Sequence, residues 1–139
     1  MTTEEKELLL KDLCARLPYG VKCNALLKQI DGSLKSIFGT FKGYNNGYAT
    51  VGQNLVDIET VRPYLRPLSS MTDEEEKEFG KIFELELKAI EAPEGHTIVS
   101  AASSTFEIDF YNKYHFDYRG LIERGLAIAV TEENNPYKE

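Results

Sequence analysis

The sequence predicts an α+β protein: an N-terminal helix, a small antiparallel SH3-like β-barrel, then C-terminal helices with a short terminal strand. Three observations carry this. Apolar residues recur at helical spacing over the first turns of the chain and again after Thr72. Between 19 and 61 the period changes to alternation, with β-branched and aromatic residues in short runs. Two turn signals, Asp31-Gly32 and Asn45-Asn46-Gly47, divide those runs as hairpins require. At 139 residues and 42% hydrophobic, the chain fits a single compact domain, 1–139, with possible sub-lobes 1–68 and 69–139.

The first helix is expected over about 3–16. Thr2-x-x-Glu5 has the form of a capping box, and Glu4, Glu5 and Glu7 suit the positive helix end. Leu9, Leu13 and Leu17, with Leu10 and Cys14 beside them, form its apolar stripe, and Pro18 stops it. Tyr19, Val21 and Cys23 then alternate with Gly20, Lys22 and Asn24, as in a strand. Ala25–Ile30 and Leu34–Phe41 flank the first turn, and SIFGTFKGY and YATVG flank the second. Leu55, Val56 and Ile58 predict one more strand. Several short strands with tight turns are expected to curl into a barrel in order to bury one face and shelter their edges.

Arg62-Pro63-Tyr64-Leu65-Arg66-Pro67 reads as a stiff connector, since each proline biases the preceding arginine toward extended backbone. Thr72-x-x-Glu75 is a second capping box, opening a helix over about 73–92 with Phe79, Ile82, Phe83, Leu87 and Ile90 at helical spacing. A short strand is expected at 97–102. Ser104-x-x-Glu107 is a third capping box, opening a helix to about His115. Leu126, Ile128 and Val130 alternate as a terminal strand, and TEENNPYKE reads as a frayed tail. The expected core is Leu9, Leu13, Val21, Phe38, Leu65, Phe79, Phe83, Phe110, Ile122 and Ile128.

Charge is unevenly spread. The chain carries a formal −7, which opposes sequence-independent attraction to nucleic acid. Residues 17–71 hold six Lys or Arg against three Asp or Glu, a net +3, so the remainder holds −10. Aromatic residues share the basic region. Lys35, Lys42, Tyr44, Tyr48, Arg62, Tyr64 and Arg66 are therefore the candidate interaction surface. Cations beside aromatic rings suit a docked peptide and equally a single nucleic-acid strand. The competing reading is that the aromatics fill the core and the lysines merely solvate the surface. Arg62 and Arg66 could together clamp a carboxylate or phosphate; pairing with the acidic helix that follows is the favoured alternative.

Catalytic and metal chemistry find little support. His96 and His115 are the only histidines, and CxxC, HxxxH and HExxH spacings do not occur. His115 reads as a partly exposed histidine at a helix C-terminus, where a positive imidazole suits the dipole. His115 and Asp117 could serve a small hydrolase as base and orienting acid, with Ser69, Ser70, Ser103 and Ser104 as candidate nucleophiles, but no GxSxG elbow is present. The glycine-rich hairpin lacks the Lys-Ser/Thr of a phosphate loop. No cofactor is expected. Acids replace a basic leader in MTTEEKELLL, and no apolar run reaches membrane-spanning length, so the expectation is a cytoplasmic protein with Cys14 and Cys23 as buried, reduced thiols.

Three segments carry a resemblance: LPYGVKC at 17–23, VRPYLRPLSSMTDEE at 61–75 and HFDYRGLIERGLAI at 115–128. In this order they resemble a family of short uncharacterised proteins of gut-type bacteria and their phages or mobile elements. Its members carry KPxLRPLSxLT before an acidic helix and close on HFDxxGLIEKGLAI. The resemblance implies shared ancestry and a cytoplasmic setting, and brings no reaction with it. The resulting expectation is a non-enzymatic adaptor or accessory protein with a protein or peptide partner. Single-stranded nucleic-acid binding is the alternative, and a hydrolase using His115 and Asp117 ranks last.

Overall fold

The structure, a computed structural model, describes residues 1–89 and 107–138. It is α+β: an N-terminal helix, a six-stranded and mostly antiparallel open sheet, later helices and a short C-terminal strand. Helix α1 spans Thr3–Ala15 and has the expected capping box, Thr2 Oγ1 accepting from the Glu5 N–H and Glu5 Oε1 from the Thr2 N–H, each at 3.1 Å. Leu9 and Leu13 are buried, whereas Leu17 is exposed, because Pro18 turns the chain into a 3₁₀ turn, Leu17–Tyr19, before the stripe continues, and Cys14, expected to be buried, is exposed on α1. That turn also replaces the strand expected from Tyr19.

The strands are β1 (Lys22–Lys28), β2 (Leu34–Asn45), β3 (Tyr48–Val51), β4 (Asn54–Asp57), β5 (Arg62–Leu65) and β6 (Ile128–Ala129), in the spatial order β4-β3-β2-β1-β5-β6. Both predicted hairpin turns form. Asn46 and Gly47 take φ of 50° and 87°, the two positive angles that a two-residue hairpin loop matched to strand twist requires. Strand β2 is shared: residues 34–40 pair with β1, and from Phe41 on the strand pairs with β3, with a bulge between Phe41 and Gly43. The bulge bends the strand and curls the sheet. At the inside of the curl a Cβ on Gly39 would lie 2.9 Å from the Gly52 backbone nitrogen, so only glycine allows this approach.

The predicted barrel does not close. Beyond Asn24 the edge of β1 meets the 3₁₀ turn Ile58–Thr60 in place of a strand, and the Leu26 N–H donates to Thr60 Oγ1 at 3.3 Å. The sheet also does not need closure to bury its inner face. Helix α1 covers it, packing Leu9 and Leu13 among Val21, Cys23, Ala25, Phe41, Val51 and Ile58.

The expected connector is itself a strand. Arg62–Leu65 pairs antiparallel with β1, and its parallel pairing with β6 begins only at Tyr64, after the proline that cannot donate to a ladder. Along the same edge Arg66 exchanges backbone hydrogen bonds of 2.8 Å with His115 and Asp117, so the C-terminal segment is built onto β5. Helix α2, Asp73–Ala89, opens with the predicted Thr72–Glu75 capping box. Its Phe79 meets Phe110, on helical residues 107–113, edge to face at 5.0 Å. The expected strand at 97–102, the Ser104 cap and the Phe83 side chain fall outside what the structure describes.

Two further expectations fail. Phe38, assigned to the core, is 55% exposed on the outer side of the sheet. The tail is tied down rather than frayed. Thr131 and Asn134 bond reciprocally, and the Tyr137 hydroxyl accepts from the Lys22 N–H at 2.9 Å while donating to the Tyr64 carbonyl at 2.7 Å. This phenol fills the gap where β1 and β5 part, standing in for a ladder rung. Among the described residues no helix is long and apolar enough to cross a membrane.

Candidate interaction surface

Pairing register fixes which side chains share a face, because residues directly opposite on antiparallel strands project to the same side. Cys23 and Ala25 are buried, so Lys22, Asn24, Leu26 and Lys28 lie on the outer side of β1. Their partners on β2 are Thr40, Phe38, Ser36 and Leu34, and Arg62 on β5 lies opposite Asn24. The outer face therefore carries apolar Leu26, Leu34, Phe38 and Tyr64 in the company of Lys22, Lys28 and Arg62. It has continuity across strands: the Phe38 and Tyr64 rings meet edge to face at 5.7 Å. Leu34 is 59% and Phe38 55% exposed, which is unusual on a face that normally alternates toward polar residues.

Two of the three charges on this face, Lys22 and Arg62, are held by neutral groups. Lys22 Nζ donates to Thr40 Oγ1 at 2.6 Å. The Arg62 guanidinium donates to the Glu59 and Val61 carbonyls at 2.7 and 2.8 Å. Outer positions of β1, β2 and β5 carry no Asp or Glu.

The seven residues singled out from sequence are not brought together as one patch. Arg62 and Tyr64 join Phe38 on the outer face. Tyr48 is exposed on β3, on the outer side of that hairpin. Tyr44 lies opposite buried Ala49, since the bulge shifts its phase to the inner side, where it remains 37% exposed. Lys42 is exposed at the bulge, and Lys35 is exposed near the end of the first hairpin, opposite Leu27. Arg66 is committed elsewhere. It makes two 2.6 Å hydrogen bonds with the Glu75 carboxylate and stacks over Phe116 at 4.3 Å, which is the pairing with the acidic helix that its position favoured. The Arg66 hydrogen bonds hold the Glu75 carboxyl below its ordinary range.

Lys22, Lys28, Leu26 and Leu34 were missed, and Phe38 misplaced, although the signal was present. Phe38 shares its alternation with Ser36 and Thr40, which marks the solvent side of β2. The register that joins these residues to β5 was not visible, because it couples segments far apart in sequence.

A second feature is an open cleft of about 560 Å³ lined by Arg66, Glu74, Glu75, Lys113, Tyr114, His115, Asn135 and Tyr137. Its side chains largely satisfy one another: Arg66 pairs with Glu75, and the Tyr114 hydroxyl donates to Glu78 at 2.6 Å. His115 is partly exposed just beyond its helix, as expected from sequence, but it is not the cation expected there. Its ring stacks on Tyr137 with centroids 3.7 Å apart and planes 9° from parallel. Burial, reinforced by Arg16, Arg66 and Lys22, pulls its pKa down to about 4, so the ring is neutral at pH 7. Asp117 does not orient it. Its two carboxylate oxygens accept from the Leu121 and Ile122 N–H groups at 2.9 and 3.0 Å, capping the turn that follows. Ser70 donates to the Pro67 carbonyl. Among the described residues no group of three or more His, Cys, Asp or Glu could hold a metal ion.

Comparison of the chain with protein-family models, with curated proteins and with solved structures returns no match in any of the three.

Proposed function

We propose that the chain is a non-enzymatic cytoplasmic adaptor or accessory protein that docks a polypeptide partner on the outer face of its sheet. The observation that carries the reading is the exposed Phe38 ring, meeting the half-buried Tyr64 ring and sharing a face of defined register with Leu26 and Leu34. Aromatic and aliphatic anchors on a rigid sheet lose little conformational freedom on binding, which suits them to the centre of an interface. The commitment of Asp117 to backbone capping and of His115 to stacking supports the non-enzymatic part.

The test is affinity capture from a cell extract with the full chain and with Phe38→Glu, after both are shown to unfold at the same denaturant concentration. The reading requires a specific protein retained by the wild type and lost with the variant. Identical retention by both chains would remove the outer face from consideration.

A further inference from the structure

We infer that the occupant of the outer face is an acidic amphipathic polypeptide segment, with carboxylates spaced among apolar side chains. This rests on the docking reading above and adds the chemistry of the partner. In a chain of net −7, the face formed by β1, β2 and β5 carries Lys22, Lys28 and Arg62 and no acid. None of these three cations has a carboxylate partner among the described residues: the close ion pairs are Arg16–Asp12, Arg66–Glu75, Lys113–Glu78 and Arg119–Asp12. Lys22 and Arg62 instead rest on a hydroxyl and on backbone carbonyls, which position them without neutralising them.

The charge pattern discriminates among occupants. A neutral apolar partner would cover the cations without pairing them, at a desolvation cost. A basic partner would be repelled. A nucleic-acid strand would satisfy the cations, but it would meet the field of a strongly acidic molecule with few exposed rings to stack on. A second copy of this chain could offer the exposed Asp73, Glu74 and Glu76 of helix α2, but Phe79 of that helix packs on Phe110, so those carboxylates come without that ring to meet Phe38. An acidic segment with leucine or phenylalanine between its carboxylates matches both halves of the face, since its charges meet Lys22, Lys28 and Arg62 while its apolar side chains meet Leu26, Leu34 and Phe38.

The experiment is a fluorescence-anisotropy titration of the full chain against labelled synthetic peptides that alternate Glu, Gln or Lys with Leu and Phe. Oligothymidylate serves as a further probe, and sedimentation velocity follows the protein alone. The Glu peptide is expected to bind about tenfold or more tightly than the Gln peptide, to weaken as salt rises, and to lose about tenfold with Arg62→Glu or Phe38→Ser. Lys113→Glu, remote from the face, should leave binding unchanged. Equal binding of the Glu and Gln peptides, still lost with Phe38→Ser, would overturn the acidic chemistry and leave the docking reading standing. Preference for oligothymidylate, or self-association abolished by Phe38→Ser, would overturn the inference in favour of nucleic acid or a second copy. Absence of any binding and of self-association would overturn both the inference and the docking reading.

Discussion

The junction between α1 and the C-terminal segment, and the outer face of the sheet, invert the usual placing of side chains in opposite senses. At the junction, charge is inside. Asp12 and Arg16 are both 0% exposed and joined by hydrogen bonds of 2.8 and 3.1 Å, and Arg16 reaches the Phe116 carbonyl at 2.5 Å. Arg119 approaches Asp12 at 3.3 Å, near enough for ion pairing but too poorly aligned for a hydrogen bond. Arg16 also lies over the Tyr118 ring. On the outer face, apolar groups are outside. The difference teaches where each region's specificity resides. The junction pairs its charges within the chain, although Arg16 Nη1 and Arg119 Nε have no hydrogen-bond partner there, and so fixes how the C-terminal segment seats on α1. The outer face leaves its apolar surface to something beyond the chain.

The comparison breaks most sharply at Asp12. Asp12→Ala would strand two arginines, one fully buried, and should cost about 3–5 kcal/mol in urea unfolding. If Arg16→Met is added, much of that loss should return, because the uncompensated charge is gone. A loss of only a few tenths for Asp12→Ala would mean that the junction contributes little to holding the C-terminal segment.

Tyr137→Phe tests the tail's role in the same region. It leaves the Lys22 N–H and the Tyr64 carbonyl without their shared partner, and should cost about 1–3 kcal/mol. Hydrogen exchange of the Lys22 amide should accelerate in parallel. Unchanged exchange would restore the frayed tail.

The effect of pH on the junction side is next. In the unfolded chain His115 titrates near 6.5, and in the fold near about 4, so the unfolded chain takes up the proton first as pH falls. The contribution is complete above 6.5, lost progressively between 6.5 and 4, and flat below. It should be on the order of 2 kcal/mol once the ring's partial exposure is allowed for. Urea midpoints across that window should fall for the wild type and much less for His115→Phe. The depressed pKa of Glu75 acts in the same direction, but only at lower pH, below its ordinary value of 4.5.

The smallest effect belongs to the outer face. Phe38→Ser should change stability by less than about 1 kcal/mol, since it removes an exposed ring and one edge-to-face contact. A loss as large as that of a core phenylalanine would show that Phe38 supports the fold and would dissolve the contrast between the two regions.

Much of the local structure was legible from sequence. The capping boxes at Thr2 and Thr72 lie within one turn of chain, and the Asn46-Gly47 turn needs only residues free to take positive φ. The pairing of Arg66 with the acidic helix was legible for the same reason, since Glu75 is nine residues away. The barrel was misread because closure depends on what lies beside β1 after Asn24, and that is a turn from another part of the chain. Asp12 and Arg16 stand four apart on a helix, so their pairing is local, but their burial is imposed by Phe116, a hundred residues later.

The sequence by itself determined the α+β class, the position of the first helix, both hairpins, the start of α2 and the segregation of basic from acidic halves. These follow from hydrogen bonds and periodicities spanning a few residues. Only the tertiary structure decided that RPYL is a strand, that the sheet stays open, that Tyr137 replaces a rung between β1 and β5, and that Phe38 faces outward beside Lys22, Lys28 and Arg62. Each of these depends on register between segments far apart along the chain, and alternation alone leaves open which strand lies opposite which.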